Sequence, residues 1–430
     1  MNDRKYILVG SALFNWSETQ RMIEISDELK CRGYEIVFVG QGKYDFLLEG
    51  KGYIRELLPY DGQWYSPERI AMMLDMDHRG SNYASFEEIE HIVAEETELI
   101  RKYRPLGILT GYRMSLTVSA RLCGVPIIWS LSATLSKLYL QNVAKKTKPS
   151  IASNRGSGKG FGDMMAMVED KIACERLLKE CKTSTVWNEF LKSRSLAPFR
   201  SDLDIYTGDL NLMSDAPELF PQLEETDAYR FIGPILNSQY IPMPEIVSQV
   251  MGENNGRKKV LISVGSGGKK ELFLTILRST LGFDCDFFIS VVGILEEEDV
   301  KDFPSNYHFC EKFPLIEIAQ QCDVAMIQGG QGTMYAVLTA QCPFVSMPAT
   351  FEQKHNIRNL LNHYSCGEML NSYDVNEENI KTALTKVLED PSYKESALKV
   401  AEDIAYHTAD RQHTPTVAAD RIEEFLNKHG

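Results

Sequence analysis

Several absences narrow the possibilities first. The 430-residue chain has no apolar run near the roughly 18 residues a membrane helix needs, so it is not expected to span a bilayer. Its N-terminus enters a short strand pattern directly, without the apolar stretch and cleavage site of a secretory signal. The nine cysteines are scattered with no Cys-x-x-Cys pair, which reads as reduced thiols and a cytoplasmic location rather than a disulfide framework. Long basic runs are missing and the net charge is −14, so nucleic acid is not an expected partner. No histidine occurs before His78. No repeat of solenoid period stands out.

What is present is an ordinary composition, 43% hydrophobic and 25% charged, able to fill complete cores. The length predicts two domains of roughly 200 residues each. Strand and helix patterns alternate throughout, which predicts α/β layers with largely parallel sheets. Tyr6–Val9 and Glu35–Val39 read as strands around a helix over 17–31, and residues 86–103 as an amphipathic helix. A strand over 106–110, a helix over 113–123 and a strand over Val125–Trp129 repeat the theme. Residues 144–163, rich in Lys, Ser and Gly, read as a mobile loop. The stretch 236–258, with Pro242, Pro244, Gly252 and Asn254-Asn255-Gly256, reads as a linker before a strand over Val260–Val264. The expected domains are 1–235 and 259–408, with 409–430 as a terminal helix.

The segment richest in chemistry is 323–353. A strand, Val324–Ile327, runs into Gly329-Gly330-Gln331-Gly332-Thr333 and then a helical pattern. Such a turn exposes backbone N–H groups at a positive helix terminus, which suits a phosphate. A second strand, Pro343–Met347, leads to Glu352-Gln353, and strand carboxyl ends are where open α/β sheets bind ligands. The turn Ser266-Gly267-Gly268, with Lys269 beside it, ends another strand and can approach the same ligand. A glycine turn serving helix–sheet packing alone is the alternative.

Gly329, Gly330, Gly332, Thr333, Pro343, Pro348, Glu352 and Gln353 resemble, in order and spacing, the signature of the UDP-glycosyltransferase family, which includes plant and bacterial antibiotic glycosyltransferases. Weaker resemblance covers most of the chain, including Arg32-Gly33, Arg104-Pro105 and Phe231-Ile232-Gly233-Pro234. The resemblance implies a GT-B fold: two Rossmann-like domains facing across a cleft, with the final helix crossing back to the first. It implies a nucleotide sugar as co-substrate, a small-molecule acceptor and no separate cofactor or metal. It also implies that Ser266, Gly267, Gly268, Gln328, Gly329, Gly330, Gly332 and Thr333 hold the diphosphate while Glu352 and Gln353 read sugar hydroxyls.

Four positions depart from the family pattern. Gln328 stands where a histidine would meet the phosphates; an amide donates a hydrogen bond but cannot become cationic. Ala336 replaces a glutamate that would hold the ribose hydroxyls. A deoxyribose lacks the 2′-hydroxyl, and vancomycin-type enzymes likewise carry an apolar residue there, which tilts the expectation from UDP- toward dTDP-sugars. Glu18 occupies the place of the usual catalytic histidine, and Gly111 that of its aspartate partner, so the usual dyad cannot form. Vancomycin-type enzymes carry an acid at the same place, making Glu18 the candidate general base. The alternative makes Ser17 an N-cap and Glu18 a first-turn acid.

Other signals are weaker. Asp75-Met76-Asp77 and Asp202-Leu203-Asp204 spell a metal motif of a different fold, as chance predicts in a chain with 60 acidic residues. His355 and His363 lack ligand partners at metal spacing and read as surface or supporting residues. Phe14, Trp16, Tyr60, Trp64, Tyr65, Tyr83 and Trp129 could line an apolar acceptor pocket, though packing is the default role for each. The expected activity is metal-independent, inverting sugar transfer to a hydroxyl of a small, partly apolar acceptor. The alternatives are a non-catalytic sugar-nucleotide-binding homologue and, more distantly, an epimerase.

Overall fold

The alternating pattern becomes two fully parallel sheets in the computed structural model, which describes residues 4–64, 69, 84–145, 161–181, 184–236, 241–253, 255–265, 268–291 and 293–429. The first sheet has seven strands: β1 (Tyr6–Gly10), β2 (Glu35–Val39), β3 (Ile54–Glu56), β4 (Gly107–Thr110), β5 (Ile127–Leu131), β6 (Leu210–Met213) and β7 (Tyr229–Phe231), in the order β3-β2-β1-β4-β5-β6-β7. The second has six: β8 (Lys258–Ser263), β9 (Cys285–Ser290), β10 (Tyr307–Cys310), β11 (Val324–Ile327), β12 (Phe344–Ser346) and β13 (Gly367–Met369), in the order β10-β9-β8-β11-β12-β13. Each sheet reverses its strand order beside its first strand. Crevices at such switch points are where α/β sheets take ligands. The central strands carry buried, mainly apolar cores such as Val260–Ile262 and Val324–Ile327, as parallel strands covered on both faces do.

Register sets the relevant strand ends level. Gly10 lies beside Thr110 in the first sheet, and Ile327 lies between Ser263 and Ser346 in the second. The loops after β1 and β4 therefore open level with one another, as do those after β8 and β11. The helix His413–His429 packs on the first sheet's layer: Ala418, Ile422 and Phe425 join the cluster of Ile7, Val9 and Met22. Arg32 ties it down through Asp420 and Glu423 at 2.6 and 2.7 Å.

Some boundaries differ from the sequence expectation. The strand read over Val125–Trp129 lies at Ile127–Leu131, because Gly124 takes a left-handed φ of 64° as helix cap and Pro126 follows. Residues 144–145 finish a helix, Lys137–Lys145, and 161–163 begin another, Phe161–Lys179; the rest of that expected loop lies outside the described residues. The linker stretch contains a helix, Glu245–Gly252, whose Val247, Val250 and Met251 are buried. A buried triad stands behind β1 and β4: Arg113 donates to Asp61 at 2.7 and 3.0 Å and to Glu96 at 2.8 Å, all three fully buried.

Candidate active site

The β1 end supplies the first component. Asn15, not Ser17, caps the helix Trp16–Cys31, its side chain accepting from the Glu18 N–H at 3.1 Å. The cap falls two residues earlier than expected because Asn15 holds the extended conformation a cap requires. Glu18 points inward and is only 1% exposed. Ser11 Oγ donates to its Oε2 at 2.6 Å and the Tyr112 N–H donates to its Oε1 at 3.4 Å. Ser11 in turn accepts from the Leu13 N–H at 3.2 Å, within a loop where Leu13 takes a φ of 52°. A side chain in that region costs on the order of 1–3 kcal/mol, and such strain concentrates at functional loops. Burial pushes the Glu18 carboxyl up to about 7 against the pull of Ser11, Arg21 and Tyr112. That is the range a general base needs near neutral pH.

Gly111 explains how the carboxylate fits. A Cβ there would lie 2.5 Å from Glu18 Oε1 and 2.7 Å from its Cγ. The Glu18 carboxyl thus occupies the space where a side chain at 111 would begin, so the two departures at 18 and 111 are one steric arrangement.

The β11 end supplies the second component. Gly329 has a φ of 92°, and a Cβ there would come within 2.4 Å of Ile357. Gly330 caps the helix Gln331–Thr339, and Thr333 lies in its first turn. Gln328 is 2% exposed, yet neither its Oε1 nor its Nε2 has a hydrogen-bond partner. A buried amide without partners is costly, so both of its polar atoms are left available to a group from outside the chain. Gly265 (φ 70°) and Gly268 flank the other turn, and a Cβ on Gly265 would lie 3.9 Å from Thr333 Oγ1. The two turns converge; Ser266 and Gly267 themselves lie outside the described residues. A Cβ on Gly332 would lie 2.8 Å from Ser17 Oγ, so the second component meets the helix carrying Glu18. Between the domains is a cavity of about 340 Å³ whose walls include Ser17, Gly265, Thr333, Ala336 and Phe313.

Glu352 and Gln353 open the helix Phe351–Leu361. Gln353 forms a capping box with Thr350, its Oε1 accepting from the Ala349 and Thr350 N–H groups at 2.9 and 3.1 Å. Its amide NH₂ is the end that the cap does not use. Glu352 accepts from Tyr112 O–H at 3.3 Å, which brings the acid to the Glu18 side of the cleft; burial raises its proton affinity.

His355 is buried rather than at the surface. Its Nδ1 meets Tyr139 O–H at 3.1 Å, and burial drives its pKa down to about 3, leaving a neutral packing ring. His363 is exposed. Asp202 accepts from Ser184, and Asp204 pairs with Lys137, so both acids of that triplet hold structure together. Asp75, Asp77, Tyr65 and Tyr83 lie outside the described residues. Trp64 and Trp129 are core residues, whereas Trp16 lines the cavity.

Sequence reasoning missed a polar network spanning the cleft. Arg21 Nη1 donates to Gln331 Oε1 at 3.0 Å, and Gln331 Nε2 donates to Ser214 O and Asp215 Oδ2 at 2.8 and 2.9 Å. Tyr335 O–H donates to Asp215 Oδ1 at 2.9 Å. Nothing in local spacing pairs residue 21 with 331; only the i, i+3 offset from Glu18 hinted that Arg21 shares its helix face.

The chain also resembles known proteins. Residues 275–425 match the family model of the erythromycin biosynthesis protein CIII-like C-terminal domain. A PGL/p-HBAD biosynthesis glycosyltransferase of Mycobacterium tuberculosis is 24% identical over 314 residues, spanning 72% of this chain and 69% of that protein. The NDP-glycosyltransferase YjiC of Bacillus licheniformis is 24% identical over 246 residues, 56% of this chain and 59% of its own. This chain is a nucleotide-sugar-dependent glycosyltransferase related to the erythromycin CIII-like enzymes. Its two parallel sheets form a GT-B fold. The solved structure of the spinosyn rhamnosyltransferase SpnG complexed with thymidine diphosphate superposes with a TM-score of 0.61 at 16% identity, over 98% of this chain and 100% of that one. Among the described residues, no helix of this glycosyltransferase is long and apolar enough to cross a membrane.

Proposed function

We propose that this enzyme transfers a sugar from a dTDP- or UDP-sugar to a hydroxyl of a small, partly apolar natural-product-like acceptor, with inversion and without a metal. The carrying observation is the Glu18 carboxyl, held between Ser11 and the Tyr112 N–H, pushed up to about 7 by burial, and next in the chain to Ser17, which lines the cavity. The acceptor oxygen attacks the anomeric carbon and its proton passes to Glu18. The anomeric C–O bond breaks on the opposite face, and its electron pair leaves on the diphosphate. Backbone N–H groups of the Gly329–Thr333 turn, the Thr333 hydroxyl and the Gln328 amide receive that charge, while Glu352 and Gln353 hold the sugar's hydroxyls. Inversion follows from a single displacement, since the base faces the acceptor and no second nucleophile is required.

Two features favour dTDP. Ala336 lines the cavity with a methyl group that accepts nothing from a 2′-hydroxyl, and the structural neighbour SpnG holds thymidine diphosphate. The test is Glu18→Gln assayed with dTDP- and UDP-sugars and a panel of phenolic and macrolide acceptors. Turnover is expected to fall by at least about 10²-fold for loss of a general base, and the product's anomeric proton coupling should show inversion. Unchanged turnover, or retention, overturns the assignment.

A further inference from the structure

A metal-independent transfer needs positive charge where the diphosphate departs, and Gln328 cannot supply it. Arg21, on the opposite domain, reaches this region. It lies one turn after Glu18, and helical side chains lean toward their N-terminus, which here is the cleft. Its Nη1 donates to Gln331 Oε1 at 3.0 Å, and Gln331 is the first residue of the helix whose N-terminus forms the glycine turn. Its Nη2 donates to Ser130 O at 3.2 Å, fixing the plane of the fork.

A guanidinium has five N–H donors, and these contacts use two. The side chain is 6% exposed, and Nε is buried without a partner. Gln328, whose two polar atoms are also unpartnered, immediately precedes the same turn in the chain. Two buried side chains with unanswered polar atoms thus flank one glycine turn, and a polyanion at that turn can satisfy both. The acids facing Arg21 are Glu18 on its own helix, Asp215 after β6 and Glu352 at the start of its helix; burial raises the proton affinity of all three. A guanidinium keeps its charge at any working pH.

We propose that Arg21 is the cation that meets the departing diphosphate, supplied across the cleft by the acceptor-side domain in place of a charged residue at 328. The inference rests on the nucleotide-sugar reading above. Because Arg21 and Glu18 share one helix, donor charge and acceptor base are held in a fixed register.

The test is calorimetric titration of the wild type, Arg21→Gln and Arg21→Lys with dTDP and with thymidine, alongside turnover. In Arg21→Gln, dTDP affinity is expected to fall about 10-fold or more, the scale of a lost charge-assisted contact. Thymidine affinity should be unchanged, and kcat should fall about 10²-fold as for a lost oxyanion donor. Arg21→Lys keeps the charge without the fork and should lie between. Equal weakening for thymidine and dTDP would make the effect structural and overturn the inference, as would unchanged dTDP affinity. A Lys variant as weak as Gln would overturn charge as the cause. A wild type that binds dTDP and UDP no better than their nucleosides would instead refute the nucleotide-sugar reading.

Discussion

Glu18→Gln should make the protein more stable as it removes activity, and more so as pH rises. The folded carboxyl is pushed up to about 7 by burial, from an ordinary 4.5. Between those values the folded chain holds a proton that the unfolded chain has released. Stability therefore falls as pH rises through the window and levels off above it. Each pKa unit corresponds to about 1.36 kcal/mol, so ionised Glu18 costs roughly 3 kcal/mol at pH 8 and under about 1 kcal/mol at pH 5. Glutamine has nearly the same shape, keeps an acceptor for Ser11 or the Tyr112 N–H, and never ionises. The stability of the variant relative to wild type should thus rise by about 2–3 kcal/mol between pH 5 and pH 8. Urea unfolding of both proteins at the two pH values measures this as a widening difference in midpoint, with the titrations common to both cancelling. A difference independent of pH, or one that shrinks toward pH 8, would refute the assignment of a desolvated, ionising Glu18.

Gly111→Ala puts a methyl group where the buried Glu18 carboxyl now sits; it should lower kcat/KM by about 10²-fold through a shift near 1 Å and cost about 1–3 kcal/mol of stability by overpacking, and full activity would show that the carboxyl position is unimportant. In thermal-shift titrations dTDP should raise the melting temperature more than UDP at equal concentration, since binding to the native state stabilises by mass action; a clear preference for UDP would sink the inference from Ala336. Arg113→Met leaves Asp61 and Glu96 buried without their cation and should lower unfolding stability by about 3–5 kcal/mol, read by urea unfolding at pH 7; a loss under about 1 kcal/mol would mean that neighbouring groups hold the two acids.

Much of the fold was legible because its signals are local. Apolar runs such as Ile7–Val9 and Ile36–Val39 need only neighbouring residues to be read as buried strands, and the capping box at Ser85 and Glu88 marks the start of the helix Phe86–Tyr103. Boundaries slipped where two local signals competed. Val125 and Pro126 have strand-like chemistry but belong to the connection after a left-handed glycine. Pro242 and Pro244 suggested a linker throughout, while the residues after Pro244 form a helix with a buried face. The glycine turns were legible for the same reason as the strands, since a strand, a turn and a helix start follow one another in the chain.

The sequence by itself determined which chemical groups are available. It contains glycine turns at strand ends, an acid near the first strand, and no histidine close enough in the chain to play the usual base. It also determined that positions 328 and 336 lack a charge and a carboxylate. Only the tertiary structure decided what those groups do to one another. The proton affinity of Glu18 is raised by burial in space left by Gly111, 93 residues away in the chain, and is opposed by the hydrogen bonds from Ser11 and Tyr112. Arg21 meets the glycine-turn helix across 310 residues of chain. Desolvation and charge act through space, and no spacing along a sequence encodes a distance between two domains until both have folded.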